Sequence, residues 1–338
     1  MAVGKGIVRS WGIRRREAGK KKKIELSIEA KDFGPISGGK ITLKPLTLFI
    51  GPNNSGKNYA AMLVHSIFES YTSSVLSKGV PPFFGRPFFS DSRQILAKQL
   101  SPLTTQINGL EEGEELEIPK FSGVVSDFIS SVITLPEEKG TFYSLAQEFE
   151  KELIKGEIVV RTLEEYLYPE IQYNFLDTEI PLHRASSTFS ELAPLFLYLK
   201  YVVEPGSVLI IEEPEAHLHP GNQRILAKFL VKLIRRGVNI IITTHSEYLL
   251  EQLSSFIMLT KVEPKERVEK YGYNEEDFLK HDEVATYVFN YDKRSGGNKI
   301  TEVEITEDDG ILEDEFIKIH EALYEETLKL RRDLSGDV

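Results

Sequence analysis

The chain has 338 residues, 41% of them apolar, no cysteine and a formal charge of −11. That length supports one large core or two smaller ones, and the missing cysteines exclude a disulfide framework and fit a reducing cytoplasm or a heat-adapted source. No apolar run reaches bilayer length, since residues 189–203 are interrupted by Glu191, Pro194 and Lys200, and the amino terminus lacks a signal-peptide core; a soluble intracellular protein with no membrane partner is expected.

Residues 1–23 hold nine basic residues against one acid, Glu17, a local charge of +8 that leaves −19 on the remainder. Two readings are open: a basic arm that tracks nucleic-acid phosphates, or a disordered, solvated tail. Trp11 is the one aromatic residue there able to stack on a base. Residues 24–30 alternate apolar and polar, the pattern of a half-buried strand. Gly34-Pro35 and Gly38-Gly39 mark turns, and residues 41–50 contain the next strand or strands, so an opening β-hairpin is expected.

The apolar run 46–50 reads as a buried strand. It is followed by Gly51-Pro52-Asn53-Asn54-Ser55-Gly56-Lys57-Asn58, and then by Ala60, Ala61, Leu63, Val64, Ile67 and Phe68 at helical spacing. Strand, glycine-bounded turn and helix is the context of a phosphate site. The turn's amides converge on an anion, the helix start adds its positive dipole end, and Lys57 supplies a point charge for the β- and γ-phosphates. Asn58 stands where this pattern takes a Ser or Thr hydroxyl for Mg²⁺; its amide oxygen can still ligate, but from a longer and bulkier side chain.

Residues 81–156 are expected as a helical and irregular insertion into a core formed by 24–80 and 157–260. Within it, 81–89 is an aromatic stretch read as packing against the body or as a partner-binding loop, 142–154 predicts an amphipathic helix, and 157–161 a strand. No heptad repeat runs through the region. In Arg184-Ala185-Ser186-Ser187-Thr188-Phe189-Ser190-Glu191, the spacing of Thr188 and Glu191 fits a capping box. The helix it opens is either merely capped or offers its free amides and hydroxyls to an anion on another subunit.

The run 208–211 ends in Glu212-Glu213-Pro214-Glu215, a buried parallel strand delivering acids to its C-terminal edge, where α/β sheets place their ligands. The first acid can hold Mg²⁺ and the second can orient or deprotonate a water. Residues 238–244 form a further buried strand ending in His245, which can donate to a γ-phosphate oxygen or order that water. Beyond 261 an α+β annex is expected, with strands at 284–289 and 300–305, a turn at 295–298, a loop at 307–309, and a helix carrying Phe316, Ile319, Leu323 and Leu330 on one face.

The order phosphate loop, serine-rich helix start, acid-ended strand, histidine-ended strand resembles the ABC-type ATPase head shared by SMC-like, RecF-like and OLD-like proteins. The likeness covers roughly residues 24–260. Residues 32–58 are similar to the opening hairpin and Walker A motif of that group. Residues 212–220 look like the Walker B and D-loop form of the RecF/OLD branch, sometimes catalogued as AAA-15 ATPases. The resemblance implies an α/β P-loop NTPase fold, with an N-terminal antiparallel hairpin and a mostly parallel sheet flanked by helices. It implies ATP and Mg²⁺ as cofactors: nucleotide on Gly51, Pro52, Asn53, Asn54, Ser55, Gly56, Lys57 and Asn58, and metal at Asn58 and Glu212. Glu213 becomes the catalytic base, Glu212 the metal-associated acid and His245 the switch histidine. Ser186 becomes the signature serine that reaches the γ-phosphate across a homodimer.

The same likeness makes ATP-driven closing and hydrolysis-driven opening of that dimer the expected cycle, with a further protein partner and nucleic acid as added partners. Ser187 and Thr188 replace signature glycines that would admit close backbone approach. Together with Asn58 they imply slow hydrolysis, with a hydrolysis-deficient regulatory or scaffold subunit as the alternative. Gln94, Gln99 and Gln106 lie in the interval of the family's Q-loop glutamine, and Gln172 lies close to the signature. The C-terminal segment is too short for the nuclease domain of OLD-type proteins.

Overall fold

The computed structural model describes residues 7–18, 21–76, 87–91, 135–136, 138–161, 170–176, 178–312 and 324–331. The all-apolar run Leu46–Ile50 is β4, with all five side chains buried, as a strand covered on both faces requires. It is preceded by β1 (Ile7–Ala18), β2 (Lys21–Phe33) and β3 (Ile36–Thr42). After it come β5 (Pro87–Asp91), β6 (Glu157–Arg161), β7 (Glu170–Phe175), β8 (Thr178–Pro181), β9 (Val208–Glu212), β10 (Asn239–Thr244), β11 (Val284–Asp292) and β12 (Gly297–Val303). The helices are α1 (Lys57–Leu76), α2 (Tyr143–Leu153), α3 (Ser187–Tyr201), α4 (Pro220–Arg235), α5 (Glu247–Met258) and α6 (Pro264–Tyr271).

Nine strands form one mixed sheet in the order β1-β2-β3-β12-β11-β4-β10-β9-β5. The run β11-β4-β10-β9-β5 is parallel throughout, as is β3 with β12, so the architecture is α/β with a mostly parallel sheet. Alternation along the strands divides two cores. Leu46, Leu48, Ile50, Leu209, Ile211, Ile240 and Ile242 join the layer containing α2, α3, α4 and α5. Phe49, Ile210 and Ile241 face the layer of α1 and the β2–β3 hairpin. A separate antiparallel sheet, β6-β7-β8, lies beside the first layer.

Several expectations are corrected. Residues 7–18 of the supposed disordered arm form a strand paired with β2. A bulge between Val8 and Ser10 brings Val8, Trp11 and Ile13 opposite Ala30, Ile28 and Leu26; the extra residue breaks the period of two, which hides the strand from pattern reading. Gly38-Gly39 is no turn but lies inside β3. A Cβ on Gly39 would come within 2.5 Å of Ile300 Cβ, so glycine permits the close approach of β12.

The C-terminal segment is not an annex, because β11 and β12 stand between β4 and β3 in the central sheet. Nor is 81–156 wholly an insertion: β5 extends the sheet beyond β9. Phe149 of α2 stacks on Phe229 of α4, with centroids 3.9 Å apart. The helix and strand expected at 142–154 and 157–161 are α2 and β6. Of the expected terminal helix, Leu330 lies in a helical stretch, 324–331, whereas Phe316, Ile319 and Leu323 lie outside the described residues.

Candidate functional site

β4, β10 and β9 are adjacent and parallel, with Ile50 in register with Thr244, and Thr243 with Glu212. Their C-terminal ends therefore deliver residues 51–58, His245 and Glu212-Glu213 to one edge of the sheet. The glycines of the loop are dictated by its neighbours. Gly51, at φ +130°, faces β11 so closely that a Cβ would stand 2.6 Å from the Phe289 carbonyl oxygen. Gly56, at φ +102°, would press on Ile36 and Pro35 of the hairpin. Asn54 adopts a left-handed φ of 62°, which asparagine tolerates better than most residues.

Pro52, Asn53 and Asn54 are exposed on the crest, whereas Ser55, Gly56 and Lys57 are buried and Asn58, in the first turn of α1, is half-buried. Lys57 Nζ folds over the loop and donates to the carbonyls of Gly51 (2.8 Å) and Pro52 (2.9 Å). Ser55 Oγ is buried without a hydrogen-bond partner among the described residues. A buried orphan hydroxyl in a loop that crowns a helix start, beside a lysine, suits an anion that would take these donors.

Glu212 is almost completely buried, at 1% exposure. Glu213 leaves the strand with φ 44°, an uncommon conformation for a non-glycine residue. Its amide donates to the Thr243 carbonyl at 2.8 Å, and its carboxylate meets His245 Nε2 at 3.1 Å. Glu215, given no role in the sequence reading, is buried beneath them. Its Oε1 accepts from the Thr244 hydroxyl (2.5 Å) and the His245 amide (3.0 Å). Burial pushes its pKa up, against the opposing pull of these two hydrogen bonds. Glu215 thereby ties the end of β10 to the turn after β9; its signal in the sequence was a third acid two residues past Glu213. Ser246 then caps α5 by accepting from the Leu249 amide.

Ser186 stands apart from this cluster. It is the exposed N-cap residue of α3 and its side chain caps no amide. The expected capping box is absent. The helix begins at Ser187, so Thr188 and Glu191 both lie inside it and turn toward the segment after β9. Thr188 Oγ1 donates to the His217 carbonyl (3.2 Å), and Glu191 pairs with His217 Nε2 (3.1 Å). Gln172 sits in β7, donating to Glu170; Gln94, Gln99 and Gln106 lie outside the described residues.

A family model described as an AAA domain, putative AbiEii toxin of a type IV toxin–antitoxin system, matches residues 120–251, a stretch that includes Glu212, Glu213, Glu215 and His245. No curated protein matches the chain. Among solved structures, it is similar to the SMC head domain from Thermotoga maritima, at 15% identity over 82% of this chain and 98% of that one, with a TM-score of 0.38. An Smc head with an extended coiled coil, bound to the C-terminal domain of ScpA derived from Pyrococcus furiosus, is 10% identical over 88% and 98%, with a TM-score of 0.43. A nucleotide-free ATP-binding cassette from an ABC transporter is 16% identical over 90% and 93%, with a TM-score of 0.39.

Proposed function

We propose that this protein is an ATP-binding, ABC-type ATPase head that uses ATP-dependent homodimerisation as a conformational switch inside the cell and hydrolyses ATP slowly. The observation that supports it is the convergence of the phosphate-loop, acid and histidine segments at the ends of three adjacent parallel strands. Lys57 would exchange its two loop carbonyls for phosphate oxygens, while the loop amides and Ser55 hold the rest. Mg²⁺, when bound, would neutralise phosphate charge, and Asn58 and Glu212 would be the residues that hold it.

Glu213 would accept a proton from the attacking water, and its contact with His245 would orient the carboxylate for that step. Ser186, exposed at the start of α3, would reach the partner subunit's nucleotide. Binding favours the closed dimer and hydrolysis opens it. Two variants test this reading. Lys57→Ala should abolish nucleotide binding measured by calorimetry, and unchanged affinity would sink the assignment. Glu213→Gln should stop phosphate release while ATP still assembles dimers; wild-type release that is absent, with no change in the variant, would select the regulatory, hydrolysis-deficient subunit instead.

A second partner is supported by the first hairpin. The pairing of β2 with β3 reaches only to Ser27, so the end of the β1–β2 ladder runs on as a two-stranded ribbon. Residues 14–18 and 21–25, the described residues of that end, include six basic and two acidic residues. A two-stranded basic ribbon would fit the major groove of duplex DNA, and its contacts would be salt-dependent. Deleting residues 1–23 should then remove salt-sensitive duplex binding in an anisotropy titration. No helix among the described residues is long and apolar enough to cross a membrane.

A further inference from the structure

Resting on the reading of a two-headed ATPase, we propose that Glu191 and His217 form a latch that positions the Glu213 turn against the start of α3. In this way the serine presented to one nucleotide and the acid facing the other move as one unit. Glu191 lies in the first turns of α3, five residues after Ser186. His217 lies four residues after Glu213, in the segment between β9 and α4. Their contact, Nε2 to Oε1 at 3.1 Å, spans the two elements and is reinforced by Thr188 Oγ1 donating to the His217 carbonyl at 3.2 Å.

The His217 side chain is 52% exposed, but three features mark the pair as more than a surface contact. Glu191 is 6% exposed, and its second oxygen has no hydrogen-bond partner among the described residues. A buried carboxylate left half-satisfied is costly and calls for a reason. His217 sits at φ 59°, a left-handed conformation uncommon for a non-glycine residue. Glu191, Leu192 and Leu195 also line one small cavity with Glu213, Pro214 and Ala216, so α3 packs directly against the turn that carries the acid. Two hydrogen-bonded anchors and this packed floor leave few ways for Ser186 and Glu213 to shift independently.

These are positioning residues, so loss of the latch should lower turnover without weakening nucleotide capture. His217→Asn suits the test, because asparagine tolerates the left-handed region and is too short to reach Glu191. Glu191→Gln keeps the buried volume, and the double variant closes a cycle. In each single variant kcat should fall about tenfold with KM and ATP affinity unchanged, and the double variant should be no slower than the worse single one. Unchanged kcat in His217→Asn, a loss confined to KM, or multiplicative losses in the double variant would overturn the latch. ATP-driven association of the wild type, followed by light scattering, separates the two levels. If the wild type never associates, the underlying two-headed reading fails; if it associates and the variants turn over normally, the latch alone fails.

Discussion

In the proposed ATPase, Asn58 is the residue on which the hydrolysis rate is most exposed to test. It lies in the first turn of α1 directly after Lys57 and is half-buried; a compact hydroxyl there would be a shorter, less bulky ligand for a phosphate-bound cation. Asn58→Thr should raise Mg²⁺-dependent phosphate release by about tenfold, the scale of improving one metal contact; a flat or lower rate would count against the metal assignment. Gly51 offers a second residue-level measurement. Gly206, at φ +91°, has nothing within 4 Å of its missing Cβ, so Gly206→Ala should cost only the left-handed backbone penalty of about 1–2 kcal/mol. Gly51→Ala adds a 2.6 Å collision with the Phe289 carbonyl. Urea unfolding should show a clearly larger loss, together with lost nucleotide binding.

At the scale of elements, α2, α3 and β6 are joined by a buried cation. Lys200 of α3, 1% exposed, meets Glu150 of α2 at 2.7 Å and Glu157 of β6 at 3.1 Å, and donates to the Ile158 carbonyl at 2.7 Å. Glu150 also accepts from the Ile158 amide, which fixes β6 against α2. Lys200→Met leaves that acid buried without its counter-ion and should cost about 3–5 kcal/mol, whereas Lys200→Met combined with Glu150→Leu should recover much of the loss. Denaturant midpoints of the two variants decide this.

Burial outweighs Lys200 and raises the Glu150 pKa from 4.5 to about 7. The folded chain therefore binds more protons than the unfolded chain across that window, so this group's contribution to stability declines as pH rises through it. Glu150→Gln should flatten the decline in thermal midpoint between pH 5 and 7. The elements themselves were legible where local pattern and tertiary use agree. α1 buries Ala60, Ala61, Leu63, Val64 and Phe68 as its helical spacing predicted. Thr188 and Glu191 fit a capping box in the sequence because the same residue types serve caps and side-chain contacts equally well, and only the position of His217 shows which use wins.

For the whole molecule, the sheet order carries a direct consequence. β11 supplies one wall of the phosphate loop through Phe289, and β12 closes onto Gly39 of the opening hairpin. A chain ending at residue 260 would strip β4 of a parallel neighbour and expose Phe49, which packs edge-on against Tyr287 and Phe289. Such a truncation should fail to fold cooperatively, judged by near-ultraviolet circular dichroism and protease resistance. A folded, nucleotide-binding fragment would restore the idea of a separable annex.

The sequence by itself determined the local chemistry: which run is a buried strand, which turn carries the glycines and lysine suited to an anion, and which strands end in acids and a histidine. These depend on neighbours within a few residues, where spacing and side-chain type suffice. Tertiary structure alone decided that β11 and β12 enter the middle of the sheet, that a bulge brings β1 into phase with β2, that Glu215 braces His245, and that Glu191 reaches His217. Each depends on pairing between segments far apart in the chain, where many partners satisfy the same pattern and only the packed arrangement selects one.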